Sequence, residues 1–77
     1  MTNTQRQLIE FSIQDLVRIL VEDRKISIID GMKIVYESQL FKLLQDVKTG
    51  LYQESPLFLY DMLKDELEYG RIIQREI

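Results

Sequence analysis

The sequence predicts an all-α fold, a small bundle of three to four helices with one short extended joint at residues 51–53. Three observations carry this. Apolar residues recur at three- and four-residue spacing over most of the chain. Three serines, Ser27, Ser38 and Ser55, each stand just before such a run, where a helix cap belongs. The run Asp46-Val47-Lys48-Thr49-Gly50-Leu51-Tyr52-Gln53-Glu54-Ser55-Pro56 interrupts the pattern and holds the only Pro and one of the three Gly.

The first helix is expected over about residues 4–24, capped by Thr4 or Asn3. Ile9, Ile13, Leu16, Val17 and Leu20 form its core stripe. At about 100° per residue, Leu8 and Ile19 fall off one edge beside Ser12 and Asp15. Phe11 falls further round, near Arg18 and Glu22. Either two neighbours bury the helix on a broad face, or Phe11, Leu8 and Ile19 belong to a second interface with a partner. The charged run Glu22-Asp23-Arg24-Lys25 reads as a solvated turn.

The second helix is expected over 28–37. Ser27 is its cap, and Asp30 three residues on makes a variant of the capping box. Ile28, Met32 and Val35 share a face, with Ile29 and Tyr36 beside it. Gly31 weakens a helix by about 1 kcal/mol relative to Ala and permits a close helix crossing. Ser38 then caps a third helix over 39–47, with Leu40, Leu43, Leu44 and Val47 as its stripe and Phe41 beside it. Two short helices are favoured over one bent one for 28–47.

In the joint, Thr49-Gly50 reads as a helix stop with a left-handed Gly50. An extended segment would send Leu51 into the core and turn Tyr52 toward a groove or partner. Ser55-Pro56 restarts a helix over 56–69, with Pro at its first position. Leu59, Leu63 and Leu67 lie on one face with Tyr60 adjacent, and Phe58, Met62 and Tyr69 on another. Gly70 is the preferred stop; residues 70–77 are a tail or, through Ile72 and Ile73, a continuation.

The segments Tyr36-Glu37-Ser38, Leu44-Gln45-Asp46, Thr49-Gly50-Leu51-Tyr52 and Tyr60-Asp61-Met62-Leu63-Lys64-Asp65-Glu66-Leu67 resemble a group of short bacterial proteins that form a domain of unknown function. The Thr-Gly-Leu-Tyr run is the most specific part. The resemblance implies a bacterial helical domain and brings no activity, cofactor or site residue with it.

Composition narrows the function. A chain of 77 residues is one domain, residues 1–77, whose single core is worth only roughly 3–5 kcal/mol. With no Cys and no His, disulfides and structural zinc are excluded, and oligomerisation is the remaining staple. Catalytic triads lack their usual base. Asp61 and Asp65, four apart, suit a hard cation or a paired-acid site, but a solvated acidic face over 61–68 is the simpler reading. The net charge of −3 disfavours a nucleic-acid partner. A helix-turn-helix over 26–48 would offer Lys42, Lys48 and Gln39 alone for DNA. The polar start Met1-Thr2-Asn3-Thr4 is unlike a signal peptide, and no 18-residue apolar run is present, so a cytoplasmic chain without a membrane span is expected. The expected function is a non-catalytic protein-interaction or regulatory module, a homodimer among the options. A small DNA-associated regulator is the alternative, and a carboxylate-based enzyme or metal-binding protein the distant one. No small-molecule substrate is evident. Partner contacts are expected at Phe11, Leu8, Ile19 and Tyr52.

Overall fold

The structure, a computed structural model, describes residues 2–70. Its helices are α1 (Asn3–Arg24), α2 (Ile28–Glu37), α3 (Gln39–Gln45) and α4 (Pro56–Tyr69), with 3-10 turns at Val47–Thr49 and Leu51–Gln53 between α3 and α4. Among the described residues there is no strand, and no helix is long and apolar enough to cross a membrane. This is the all-α bundle that the periodicity predicts. Residues 28–47 divide into two helices at Ser38.

α1 is the hub, in contact with α2, α3, α4 and the second 3-10 turn. Its Ile9, Ile13, Leu16 and Leu20 meet Val35 of α2, Leu40 and Leu44 of α3, and Leu59, Tyr60 and Leu63 of α4 in one core. Burial of such a set is the main stabilising term of the fold.

The helix ends are fixed by side chains. Ser27 accepts from the Asp30 amide, Ser38 from that of Phe41, and Ser55 from that of Phe58, with Pro56 opening α4. All three serines therefore cap as expected. The start of α1 differs from expectation. Thr2, rather than Thr4 or Asn3, is the cap: its hydroxyl accepts from the Gln5 amide while the Gln5 side chain accepts from the Thr2 amide. This reciprocal pair satisfies two free donors at once, which a lone cap at Thr4 cannot do. Lys25 ends α1 in the left-handed region, with φ 54°. Gly70 does the same for α4 with φ 74°, so the helix stops at Tyr69. The alternative continuation through Ile72 and Ile73 lies outside the described residues.

Gly31 permits the close α1–α2 crossing. A Cβ added there would lie 2.7 Å from Val21 Cγ2 and 3.6 Å from Val17 Cγ1. α4 is fastened to α3 by a side chain the sequence reading assigned to the acidic face. The Glu66 carboxylate accepts from the Gln39 amide at 2.8 Å and the Leu40 amide at 3.1 Å, taking up donors at the start of α3 that the helix itself cannot satisfy.

Three further expectations about the elements need correction. First, α3 ends at Gln45, because Asp46 turns its carboxylate onto the Lys48 amide and starts a 3-10 turn. Leu43 is half-exposed, and Val47 packs on the core from the turn. Second, Leu67 is 38% exposed although it continues the Leu59–Leu63 face. Tyr60 lies at a similar angle around the helix and is buried, so the difference is axial: the last turn of α4 runs past the core.

Third, the joint is coiled, not extended. The single proton of the Thr49 hydroxyl is shared between the Leu43 and Asp46 carbonyls, at 2.9 and 2.8 Å, and its oxygen accepts from the Leu51 amide at 3.2 Å. Gly50, left-handed as expected with φ 68°, links the two 3-10 turns. Side-chain bonds of this kind offer the backbone a turn in place of a strand. Leu51 and Tyr52 consequently do not point to opposite faces; both are half-buried and pack against the core.

Candidate functional site

α2 carries two apolar stripes, and only one of them enters the core. Gly31 and Val35 are buried against α1. Ile28, Met32 and Tyr36, at four-residue spacing, lie about 80° further round the helix and are exposed by 65%, 40% and 47%. The sequence reading placed Ile28 and Met32 with Val35 on one core face. The close approach at Gly31 rotates that face so that Val35 alone of the three is buried.

The outer stripe forms one wall of an apolar groove of about 600 Å³. Ile13, Val17 and Val21 of α1 form its floor and opposite wall, and Gln14, Arg18 and Glu22 form the polar edge. At one end Tyr36 packs edge-on against Phe41, with ring centroids 5.0 Å apart and planes at 80°. Such a pair adds roughly 0.5–1.5 kcal/mol and orients the Tyr36 ring. An apolar channel with a few polar groups at its margin is the shape that receives an amphipathic helix or another apolar segment.

The edge carries both signs of charge. Arg18 Nη2 lies 3.2 Å from Asp15 Oδ1, a solvent-exposed pair worth at most about 1 kcal/mol. Such an edge has no excess of positive charge for a phosphate backbone.

The residues expected to contact a partner divide. Phe11 is 57% exposed and stands one turn before Gln14, two before Arg18, beside the groove edge. Leu8 is exposed one turn further back. Ile19 instead packs partly against the core. Tyr52 is used internally: its hydroxyl accepts from Gln5 Nε2 at 3.2 Å and from Gln53 Nε2 at 3.3 Å, which seats the joint on the first turn of α1. The expectation that Leu51 alone faces the core and Tyr52 faces outward is thus replaced by shared packing.

The sequence reading missed Ile28, Met32 and Tyr36 as a surface. The available signal was the glycine: in a ten-residue helix with two apolar stripes, the one containing Gly31 is the one that can approach a neighbour most closely.

Two other side-chain groups have structural explanations. Tyr60 donates to Asp23 Oδ2 and carries Lys64 Nζ 5.9 Å from its ring centroid. Burial first, and then the Asp23 hydrogen bond and charge, push the phenol from 10.0 up to about 12, so it stays a protonated donor into alkaline solution. Asp61 is exposed and Asp65 half-buried on α4, and no cluster of three or more potential metal ligands occurs among the described residues. Comparison of the chain with protein-family models, with curated proteins and with solved structures returns no match.

Proposed function

We propose that this protein is a non-catalytic protein-interaction module whose groove between α1 and α2 receives an apolar helical segment. The observation that carries the reading is the outer stripe Ile28–Met32–Tyr36, set opposite Val17 and Val21 across an open channel. A chain of this size gains little from leaving such residues in water, and contiguous apolar surface of this kind marks interaction sites. The polar groups around it, Gln14, Arg18 and Glu22, suit the rim of a protein interface.

The helix-turn-helix alternative is less well supported. A recognition helix presents its N-terminal residues to the bases. Here α3 has seven residues, and its N-terminal amides bind the Glu66 carboxylate, a negative charge where a phosphate or base edge would sit.

The test is an amide-resolved NMR titration with amphipathic helical peptides carrying apolar anchors at i, i+4 and i+7. The expected result is that shifts concentrate at Val17, Val21 and Met32, and that Met32→Lys abolishes them while leaving the helical circular dichroism unchanged. Shifts confined to other faces would overturn the assignment.

A further inference from the structure

Resting on that reading, we infer that the segment that covers the groove edge is α1 of a second copy of this chain, paired antiparallel about a two-fold axis. The inference comes from a stripe on α1 that is distinct from both the core stripe and the groove floor. Leu8, Phe11, Asp15, Arg18, Glu22 and Lys25 follow at steps of three and four residues, so they form one line along the helix. The core takes none of them. Phe11 is a large apolar knob in this line, and the groove opens along the same edge at Arg18 and Glu22.

Charge selects the occupant and its direction. If two copies of the line pair in parallel, Asp15 meets Asp15, Arg18 meets Arg18 and Glu22 meets Glu22, each a repulsion. If they pair antiparallel about an axis midway between Asp15 and Arg18, Asp15 faces the partner's Arg18, and Arg18 faces the partner's Asp15. The same register sets Phe11 against the partner's Glu22, over the Val21 end of the partner's groove, and the symmetry repeats this contact. A two-fold interface requires such self-complementarity: the same patch must offer both the knob and the hole, and both signs of charge.

The available surface is of the right order. Phe11, Ile28, Met32 and Tyr36 are exposed by 57%, 65%, 40% and 47%. With side chains of roughly 200 Å² each, these four bring at most on the order of 400 Å², up to half of the roughly 800 Å² per partner of a standard interface. The aliphatic stems of Arg18 and Glu22 and the groove walls add to this.

Sedimentation equilibrium of the full chain between about 5 and 500 µM tests the inference, with Phe11→Asp, Asp15→Arg, Arg18→Asp and the double variant D15R/R18D. The expected result is a dimer. Its dissociation constant should rise at least about tenfold in F11D, rise in each single charge reversal, and recover in the double reversal. Phe11, Asp15 and Arg18 lie outside the core, so the urea midpoint and helical signal of each variant serve as folding controls. A wild-type monomer throughout this range overturns self-pairing, as does a dimer indifferent to F11D or one that D15R/R18D fails to restore. If the wild type is monomeric and amphipathic peptides still enter the groove, self-pairing fails alone. If no peptide enters either, the interaction reading fails with it.

Discussion

The phenol of Tyr60 donates a 2.5 Å hydrogen bond to the Asp23 carboxylate, tying α4 to the last turn of α1 across 37 residues of chain. Burial and this contact raise the Tyr60 pKa from 10.0 to about 12. The sign of the linkage follows: the folded state holds its proton more tightly than the unfolded state, so the contribution is complete below pH 10 and is lost as pH rises toward 12. We predict a fall in stability between pH 9 and 11 that is steeper in the wild type than in Tyr60→Phe, by on the order of 1 kcal/mol. Urea unfolding across that range measures it. Equal slopes for the two proteins would show that the phenol is not the titrating group.

The Glu66 carboxylate should be the strongest single polar link between α3 and α4. Hydrogen bonds to a charged acceptor are worth about 1.5–3 kcal/mol, and a helix cap about 1 kcal/mol. We predict that Glu66→Ala lowers stability by about 2 kcal/mol and speeds hydrogen exchange of the Gln39 and Leu40 amides before others. A loss under about 0.5 kcal/mol with unchanged exchange would remove the link.

At Gly31 two effects oppose one another. Alanine favours a helix by about 1 kcal/mol, but its Cβ would stand 2.7 Å from Val21 Cγ2. Valine is stiff at its first torsion and cannot swing away freely. Overpacking typically costs about 1–3 kcal/mol. Gly31→Ala is therefore expected to destabilise on balance, and Val21→Ala in the same chain to recover the loss. A double-mutant cycle without coupling between the two positions would refute this.

Lys25 holds a left-handed backbone, φ 54°, that costs an L-residue roughly 1–2 kcal/mol. Glycine removes that cost but loses roughly 0.5–1 kcal/mol in conformational entropy. Lys25→Gly should raise the urea midpoint slightly, by up to about 1 kcal/mol in stability. A fall would mean that the lysine side chain contributes more than its backbone costs.

The helices and the caps that open α2, α3 and α4 were legible because they depend on residues within four positions of one another. Ser27, Ser38 and Ser55 each bond an amide three residues on, and Gly50 and Gly70 each sit one residue past a helical segment. The 3-10 joint was not legible, because Thr49 serves three backbone groups and periodicity records no such side-chain bonds. The links from Glu66 to α3 and from Tyr60 to Asp23 join residues 26 to 37 positions apart, so a reading of local spacing left those acids on solvated faces. For the candidate site, Phe11 and Leu8 were legible as apolar residues off the core stripe. Ile28, Met32 and Tyr36 were not, since periodicity treats two adjacent stripes on one helix alike and only Gly31 marks the one that can close on α1.

Ser38 has a consequence for how the chain can vary in length. Its hydroxyl donates to the Val35 carbonyl at 2.6 Å to close α2 and accepts from the Phe41 amide at 3.1 Å to open α3. The two helices thus share a boundary with no linker, so nothing there can absorb a gained or lost residue. An insertion at this point would part the two bonds that Ser38 makes and displace α3 relative to α2, carrying Leu40 and Leu44 out of the core and the Gln39 amide away from Glu66. Spacing across this junction is therefore a gear setting: side chains around it can be exchanged, but the number of residues cannot change without disengaging the two helices that follow.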